Sequence, residues 1–257
     1  MFRPRVIPVL LLDGQALVKT IQFGAGKYLG DPINAVKLFN DLNVDELVFL
    51  DISATKQKRM ISAALIEQIG GEANMPFAVG GGIRSLQHIR SALSSGAEKV
   101  IINDAALTDP GFVRSAADTF GSSTIAVCLD VKRVLFAGGR VFSHSTKKAD
   151  PRDPVEYARS IEGLGAGELI VQSVDRDGMM QGYDVPLIKA VSEAVSIPVV
   201  ALGGAGHLSD FATAHFQGFA SAVAAGSLFV YQSKKRGVLI NYPSSEKIKN
   251  VFNIEGS

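Results

Sequence analysis

Short apolar runs alternate along the chain with longer segments in which apolar residues recur at helical spacing. The short runs predict eight strands: Arg5–Leu11, Glu46–Leu50, Phe77–Gly80, Lys99–Asn103, Thr124–Asp130, Glu168–Ser173, Val199–Leu202 and Ala222–Ala225. Asp31-Pro32, Asp109-Pro110 and Asp153-Pro154 each place a capping side chain before a proline, which predicts three helix starts. Eight strand–helix units predict one (β/α)₈ barrel, a TIM barrel, as a single domain over residues 1–257.

The two halves of the chain repeat each other. PFAVGGG, from Pro76, matches PVVALGG, from Pro198, at an offset of 198 − 76 = 122. The same offset carries Leu50-Asp51 onto Gln172-Ser173 and Val100–Ala105 onto Ala222–Ser227. Any two strand–helix units resemble each other to some degree, but a shared order over consecutive units favours a barrel made of two similar halves.

Three further segments carry weaker signals. Lys132–Asp150 is long enough to predict an extended loop after the fifth strand, with a small hairpin around Gly138-Gly139. Lys19 lies in the first strand–helix loop, where either a mobile lid or a plain solvated lysine is a consistent interpretation. Lys234-Lys235-Arg236 is too short to indicate nucleic-acid binding and predicts a solvated turn.

Composition narrows the class of protein. The chain is 47% hydrophobic and 20% charged, which supports a large buried core and excludes a mainly disordered protein. With 26 basic and 25 acidic side chains, a nucleic-acid partner is not indicated, so any phosphate binding must be local. Cys128 is the only cysteine, which excludes an internal disulfide and fits a reducing cytosol. Val6–Leu12 is far too short to span a membrane. We therefore expect a cytoplasmic protein without a membrane partner.

Glycines follow two strands that the repeat relates. Gly80-Gly81-Gly82 and Gly203-Gly204 each come just after a strand, where backbone N–H groups can approach an anion closely. One strand later, Asn103-Asp104 and Gly226-Ser227 supply small polar turns. The glycines could serve tight turns alone, but two symmetry-related pairs predict two facing phosphate sites and a ligand with a phosphate at each end.

Five segments together resemble a known family. DELVFLDISAT, VGGGIRS, EKVIINDAAL, GAGELIVQSVDRDGMMQGYD and IPVVALGGAG are similar to the cyclase subunit of imidazole glycerol phosphate synthase. The resemblance covers the chain from Arg5 to about Phe229 and implies a (β/α)₈ barrel of histidine biosynthesis. Members receive ammonia from a glutaminase partner and use it on a substrate with two phosphates, forming imidazole glycerol phosphate and a purine precursor.

The resemblance also implies roles for individual residues. Asp130, at the end of strand five, matches one of two catalytic carboxylates that exchange protons during ring closure; its other interpretation is a strand-end cap or an ion pair with Lys132 or Arg133. The phosphate-binding residues carried over are Gly81, Gly82 and Asn103 at one site, and Gly178, Gly203, Gly204, Gly226 and Ser227, with Asp177 nearby, at the other. No cofactor is implied, and the four histidines, His88, His144, His207 and His215, lack metal-ligand spacing, so no metal is expected.

Four charges match a ring at the bottom of the family's barrel. The ring would consist of Arg5, Glu46, Lys99 and Glu168, each near the start of a strand. Charges inside a narrow apolar barrel must pair with each other, so a simple plug of the barrel floor is one interpretation. The resemblance implies instead a gate through which ammonia enters from a glutaminase docked on the N-terminal face.

The barrel mouth, the end at which the C-terminal ends of the strands lie, departs from the family pattern. The second catalytic carboxylate should end strand one, but Leu11 stands there and cannot transfer a proton. Asp13 lies two residues on, roughly 6–7 Å further along the same strand face, and is the candidate replacement. Asp104 replaces a usual hydroxyl beside the first phosphate, where an unpaired carboxylate would repel the ligand. Gln172 replaces a usual threonine, and Ser145-Thr146 a more glycine-like turn.

A retained floor and an altered mouth fit a paralogous branch of the family. IPVLLLDG, GDPINAVKLFN, AVAAGSLFV and GVLINYPS resemble homologues that accompany glycosyl amidation in bacterial surface-polysaccharide (O-antigen) gene sets. In that branch the barrel and its glutaminase supply ammonia to a separate sugar-amidating synthetase. Two alternatives stay open: a genuine cyclase, which needs Asp13 to replace the missing acid, and the related sugar-isomerase barrel, which also wants the strand-one aspartate and has no need of the charge ring.

Overall fold

The computed structural model of the protein describes residues 3–232 and 237–252. The predicted solvated turn at Lys234-Lys235-Arg236 lies outside these residues. Within them, no helix is both long and apolar enough to cross a membrane.

Strands and helices alternate along the described chain. The strands are β1 Arg5–Asp13, β2 Ala16–Lys19, β3 Lys27–Gly30, β4 Leu47–Asp51, β5 Phe77–Gly80, β6 Lys99–Ile102, β7 Ile125–Val134, β8 Gly138–Ser143, β9 Lys148–Ala149, β10 Glu168–Ser173, β11 Val199–Leu202, β12 Ala222–Ala225, β13 Tyr231–Gln232 and β14 Gly237–Val238. The helices are α1 Pro32–Asp41, α2 Ala63–Glu72, α3 Leu86–Ser94, α4 Asp104–Thr108, α5 Pro110–Phe120, α6 Pro154–Gly163, α7 Val185–Ser192, α8 Leu208–Phe216, α9 Ser227–Val230 and α10 Ser245–Phe252. Two 3₁₀ turns, Ser122–Thr124 and Val174–Arg176, complete the set.

Eight strands close into a parallel barrel. Their order is β1, β4, β5, β6, β7, β10, β11 and β12, and β12 pairs with β1 to close the circle. The longest parallel seam joins β7 to β10, where Asp130 lies opposite Gln172. The predicted (β/α)₈ barrel is therefore confirmed, whereas its extent as one domain over residues 1–257 stays a prediction.

Strand alternation places side chains in two apolar layers. In β1, Val6, Leu10 and Leu12 face the helices and join the larger cluster between the strands and the surrounding helices. Ile7 and Leu11, one position out of phase, join a smaller cluster inside the barrel. Because successive strand residues point to opposite faces, the parity of a position decides whether it can reach the barrel axis.

Three local features differ from the sequence expectations. β1 continues past the barrel rim and pairs with β2, which pairs with β3, so the first loop is an antiparallel extension. β7 likewise continues to Val134, further than predicted, and pairs with β8; the small hairpin predicted around Gly138-Gly139 is present, with its turn just before Gly138. Asp31 and Asp153 cap their helices through their side chains as predicted, but Asp109 makes no side-chain cap bond, so that part of the prediction was wrong.

Candidate functional site

The mouth of the barrel contains a buried aspartate paired with a histidine. Asp130, on β7, is 2% exposed. Its Oδ2 accepts hydrogen bonds from Asn103 Nδ2 at 2.7 Å and pairs with His144 Nε2 at 2.6 Å. Its Oδ1 accepts from the Cys128 thiol at 3.5 Å. The ion pair with Lys132 or Arg133, offered as an alternative for Asp130, is not among its contacts in the described structure.

His144 reaches Asp130 from the turn between β8 and β9. Asp104, at the start of α4, fixes this turn: its carboxylate accepts from Ser143 Oγ and the His144 backbone N–H, both at 3.0 Å, and from the Ser145 N–H at 3.2 Å. The expectation of an unpaired, ligand-repelling carboxylate at Asp104 was therefore wrong, because the altered turn supplies its donors. The two departures from the family pattern compensate each other.

Two aromatic side chains hold the His144 ring. Phe23, in the loop of residues 20–26, lies with its centroid 5.0 Å from the imidazole, and Phe142 meets it edge-on at 5.4 Å. That loop also contacts the loop that follows β10, because the Gln22 backbone N–H donates to the Asp177 carbonyl at 3.0 Å. The first loop and the β8–β9 turn thus meet over the mouth of the barrel.

The environment of His144 favours its charged form. Burial disfavours the imidazolium, but the hydrogen bond to Asp130 and the attraction of Asp130 and Asp104 outweigh it, so the pKa of His144 is raised. For the neighbouring Cys128, burial and the adjacent Asp130 carboxylate raise the pKa of the thiol well above its usual range. The sulfur therefore stays protonated and acts as a hydrogen-bond donor.

Removing His144 should lower stability in a pH-dependent way. A group whose pKa is raised on folding contributes stability that is fully present below its ordinary value of 6.5 and is lost as pH rises through the folded pKa. His144→Asn is therefore expected to reduce the free energy of unfolding more at about pH 5.5 than at about pH 9. Urea unfolding of both proteins at the two pH values measures the difference, and a gap independent of pH would contradict it.

The two positions proposed for a second acid lie in different surroundings. Leu11 is 8% exposed, belongs to the cluster inside the barrel and pairs with Leu50. Asp13 is exposed at the β1–β2 turn, opposite Ala16, and is not among the hydrogen-bond partners of Asp130 in the described structure. The residue that joins Asp130 is His144, which the sequence analysis did not consider for a role in proton transfer.

The first glycine pair lies where β5 leaves the barrel. Gly81 and Gly82 have φ values of +124° and +64°. A Cβ on Gly81 would lie 2.7 Å from the Asp51 carbonyl oxygen, and one on Gly82 would overlap the Arg59 carbonyl oxygen. Close packing against the β4–α2 loop therefore requires glycine at both positions. Asn103, predicted to bind the same phosphate, uses its side-chain N–H₂ on Asp130.

The second glycine pair reproduces this geometry at the predicted offset, since 203 − 81 = 122. Gly203 and Gly204 have φ values of +89° and +115°. A Cβ on Gly203 would lie 2.9 Å from the Ser173 carbonyl oxygen, and one on Gly204 would overlap the Gly182 carbonyl oxygen. In both halves of the barrel, glycine is therefore required for the same reason: a Cβ would lie too close to a backbone carbonyl oxygen.

Polar groups converge beside the second pair. The buried Lys19 ammonium donates to Asp177 Oδ1 at 3.1 Å, and its Cε would lie 3.1 Å from a Cβ on Gly226. Gly178 packs against the Thr20 carbonyl of the same loop. Ser227, 5% exposed, has a hydroxyl without a hydrogen-bond partner among the described residues. A buried hydroxyl normally finds a partner, so this one suits an added acceptor such as a phosphate oxygen.

The floor of the barrel carries a closed ring of charges. Arg5 contacts both Glu46 and Glu168, and Lys99 Nζ lies 3.0 Å from Glu168 Oε2 and 3.9 Å from Glu46 Oε1. Burial raises the pKa of Glu46 despite the neighbouring cations. For Arg5, burial is outweighed by the attraction of Glu168 and Glu46, so its pKa is raised. The four residues predicted as a gate are thus brought together.

A narrow apolar cavity lies above this ring. Its lining includes both ring carboxylates and the inward-facing residues Ile7, Val9 and Ala224. Its volume of about 10 Å³ is close to that needed for one water molecule. No group of three or more candidate metal ligands occurs in residues 3–232 and 237–252, and the expectation of no metal or cofactor stays a prediction.

Comparison with known proteins matches one family along nearly the whole chain. The sequence profile of a family described as histidine biosynthesis protein matches residues 5–235. A Pseudomonas aeruginosa protein, provisionally named imidazole glycerol phosphate synthase subunit hisF2, is 44% identical over 96% of this chain and 99% of its own. Provisionally named subunits from Leptospira borgpetersenii (HisF) and Vibrio vulnificus (hisF3) are 41% and 43% identical, over 98% and 97% of this chain and 100% and 96% of their own.

Proposed function

Because the chain belongs to the histidine biosynthesis protein family, we propose that it is an ammonia-handling barrel subunit that works with a glutaminase. The glutaminase would dock on the N-terminal face, and ammonia would pass the ring of Arg5, Glu46, Lys99 and Glu168 into the barrel. The observation that carries this proposal is the complete charge ring directly beneath a cavity of about 10 Å³, which suits a molecule the size of ammonia.

The mouth would hold a phosphorylated ligand between the two glycine pairs. The buried hydroxyl of Ser227 and the Lys19–Asp177 pair beside Gly226 support an anion site at the second pair. The matching geometry of Gly81 and Gly82 supports a second site across the barrel and hence a ligand with two phosphates.

We further propose that the ammonia serves sugar amidation in surface-polysaccharide biosynthesis, through a separate amidating synthetase in the cytoplasm. Leu11 supports this over ring closure, since the strand-one position lies in an apolar cluster and carries no acid. The alternative, a genuine cyclase of histidine biosynthesis, is favoured by the burial of Asp130 in a polar network at the mouth.

One assay separates the two functions. The chain is mixed with its glutaminase partner, glutamine and the two-phosphate substrate of the histidine pathway, and glutamate and cyclised product are measured separately. We expect glutamate release without cyclised product. Product formed at an enzymic rate would contradict the proposal and establish the cyclase, and Asp13→Asn would then show whether Asp13 supplies the missing acid by abolishing that product.

A further inference from the structure

The Asp130–His144 pair is a unit built by three separate parts of the chain. Asp130 comes from β7, His144 from the β8–β9 turn, and Asp104, at the start of α4, anchors that turn through its carboxylate. The imidazole also packs against the Phe23 and Phe142 rings, whose centroids lie 6.1 Å from each other. In this position Nε2 faces the Asp130 carboxylate.

The carboxylate itself is fully engaged. Oδ2 is shared by Asn103 Nδ2 and His144 Nε2, Oδ1 faces the Cys128 thiol, and the residue is 2% exposed. A ligand in the mouth could reach Asp130 only by displacing one of these groups. Asp130 is thus placed to act on a neighbouring side chain.

The imidazole has the opposite character. Its side chain is 39% exposed, and Nδ1 has no hydrogen-bond partner among the described residues. Asp104 is a second carboxylate whose charge acts on the imidazole, in addition to Asp130. The nearby cation Lys132, on β7, lies over the Phe142 ring, with its Nζ 5.6 Å from the centroid of that ring. Of the two residues in the pair, His144 is therefore the one that a ligand in the mouth can touch.

We propose that His144 is the residue that exchanges a proton with the ligand in the barrel mouth, and that Asp130 positions it. This inference rests on the proposed function, since it requires a phosphorylated ligand at this site, and it names the ligand class as a sugar phosphate with a hydroxyl or carbonyl group near Nδ1. In the neutral ring Nε2–H donates to Asp130, and the Nδ1 lone pair accepts a proton from the ligand. The imidazolium returns that proton to the ligand, so nothing else is consumed.

This arrangement replaces the two carboxylates expected from the family with one carboxylate and one imidazole. This arrangement leaves the strand-one position, Leu11, apolar, because the ionisable partner of Asp130 comes from the β8–β9 turn. It also explains Asp104, which fixes the backbone of that turn.

The first experiment is ¹⁵N NMR of the full chain labelled at histidine, with His144→Asn used to assign the His144 signals. We expect the tautomer with hydrogen on Nε2 at high pH, and a titration midpoint above that of an unperturbed histidine. Asp130→Asn should lower that midpoint, while His88, His207 and His215 serve as internal controls of the fold. The Nδ1–H tautomer in the unchanged protein would overturn the proposal even if the Asp130 variant does not fold.

The second experiment measures the proton directly. Binding of ribulose 1,5-bisphosphate, a sugar with two phosphates and a carbonyl, is followed by calorimetry in buffers of different ionisation enthalpy, at the pH where His144 is half protonated. We expect the unchanged chain to take up more protons than His144→Asn, by up to about half a proton per ligand. Equal proton uptake by both proteins would overturn the role of His144 and leave the proposed function standing. If neither protein binds the bisphosphate, the premise of a phosphorylated ligand is overturned, and this inference with it.

Discussion

Replacing Gly82 by alanine is expected to destabilise the barrel by at least about 3 kcal/mol. The backbone of Gly82 has a φ of +64°, a conformation that side chains disfavour, and the added Cβ would overlap the Arg59 carbonyl oxygen. The contact is with backbone, so no side-chain rotation relieves it. Urea unfolding followed by circular dichroism measures the loss as a lower midpoint at similar slope.

Gly71→Ala is the matched control. Gly71 lies in α2, where an added Cβ meets nothing within 4 Å, so alanine there should stabilise by about 0.4–1 kcal/mol. Gly204→Ala, the half-barrel mate of Gly82 (204 − 82 = 122), should lose a comparable amount because its Cβ would overlap the Gly182 carbonyl oxygen. A small effect at Gly82 would mean that the β4–α2 loop moves freely, and a preformed phosphate site there would be ruled out.

The barrel strands were predictable because their signal is local. A run such as Val199–Leu202 is apolar at every position, as strands covered on both faces are, and its structural bounds equal the predicted ones. The extensions beyond the rim were missed for a physical reason. Whether β1 stops at Leu11 or continues to Asp13 depends on the partner strand Ala16–Lys19, and such pairing leaves little trace in either segment alone.

The candidate site likewise contains residues that the sequence identifies and one that it does not. Glycines at strand ends and the four ring charges occupy repeated or motif positions, so the sequence identifies them. His144 does not, because it follows Asp130 by 14 residues and returns to it only through the β7–β8 hairpin. The available signal was a pair of simultaneous departures, an acid at Asp104 and an altered turn at Ser145-Thr146, which a compensating contact would explain.

The entry of ammonia proposed above would have to pass the charge ring. Two cations and two carboxylates pair around a narrow opening, and both carboxylates are less than a tenth exposed. Passage of a neutral molecule requires at least one pair to separate, and separating buried partners is costly. In the proposed complex, contacts made by the docked glutaminase would supply that free energy and so link ammonia release to complex formation.

Glu168→Gln is expected to destabilise the chain by about 2–3 kcal/mol, because it leaves Arg5 and Lys99 with Glu46 as the one remaining ring carboxylate. Adding Lys99→Met restores charge balance and should recover about 1 kcal/mol or more of that loss in urea unfolding. Lys37→Ala, which removes a 3.8 Å pair with Glu72 that is over half exposed at the lysine, should change stability by less than about 0.5 kcal/mol. Lys99→Met is also measured alone. If its effect on the free energy of unfolding is the same in the unchanged chain and in Glu168→Gln, the charges act independently of each other, and a ring that opens as a gate is excluded.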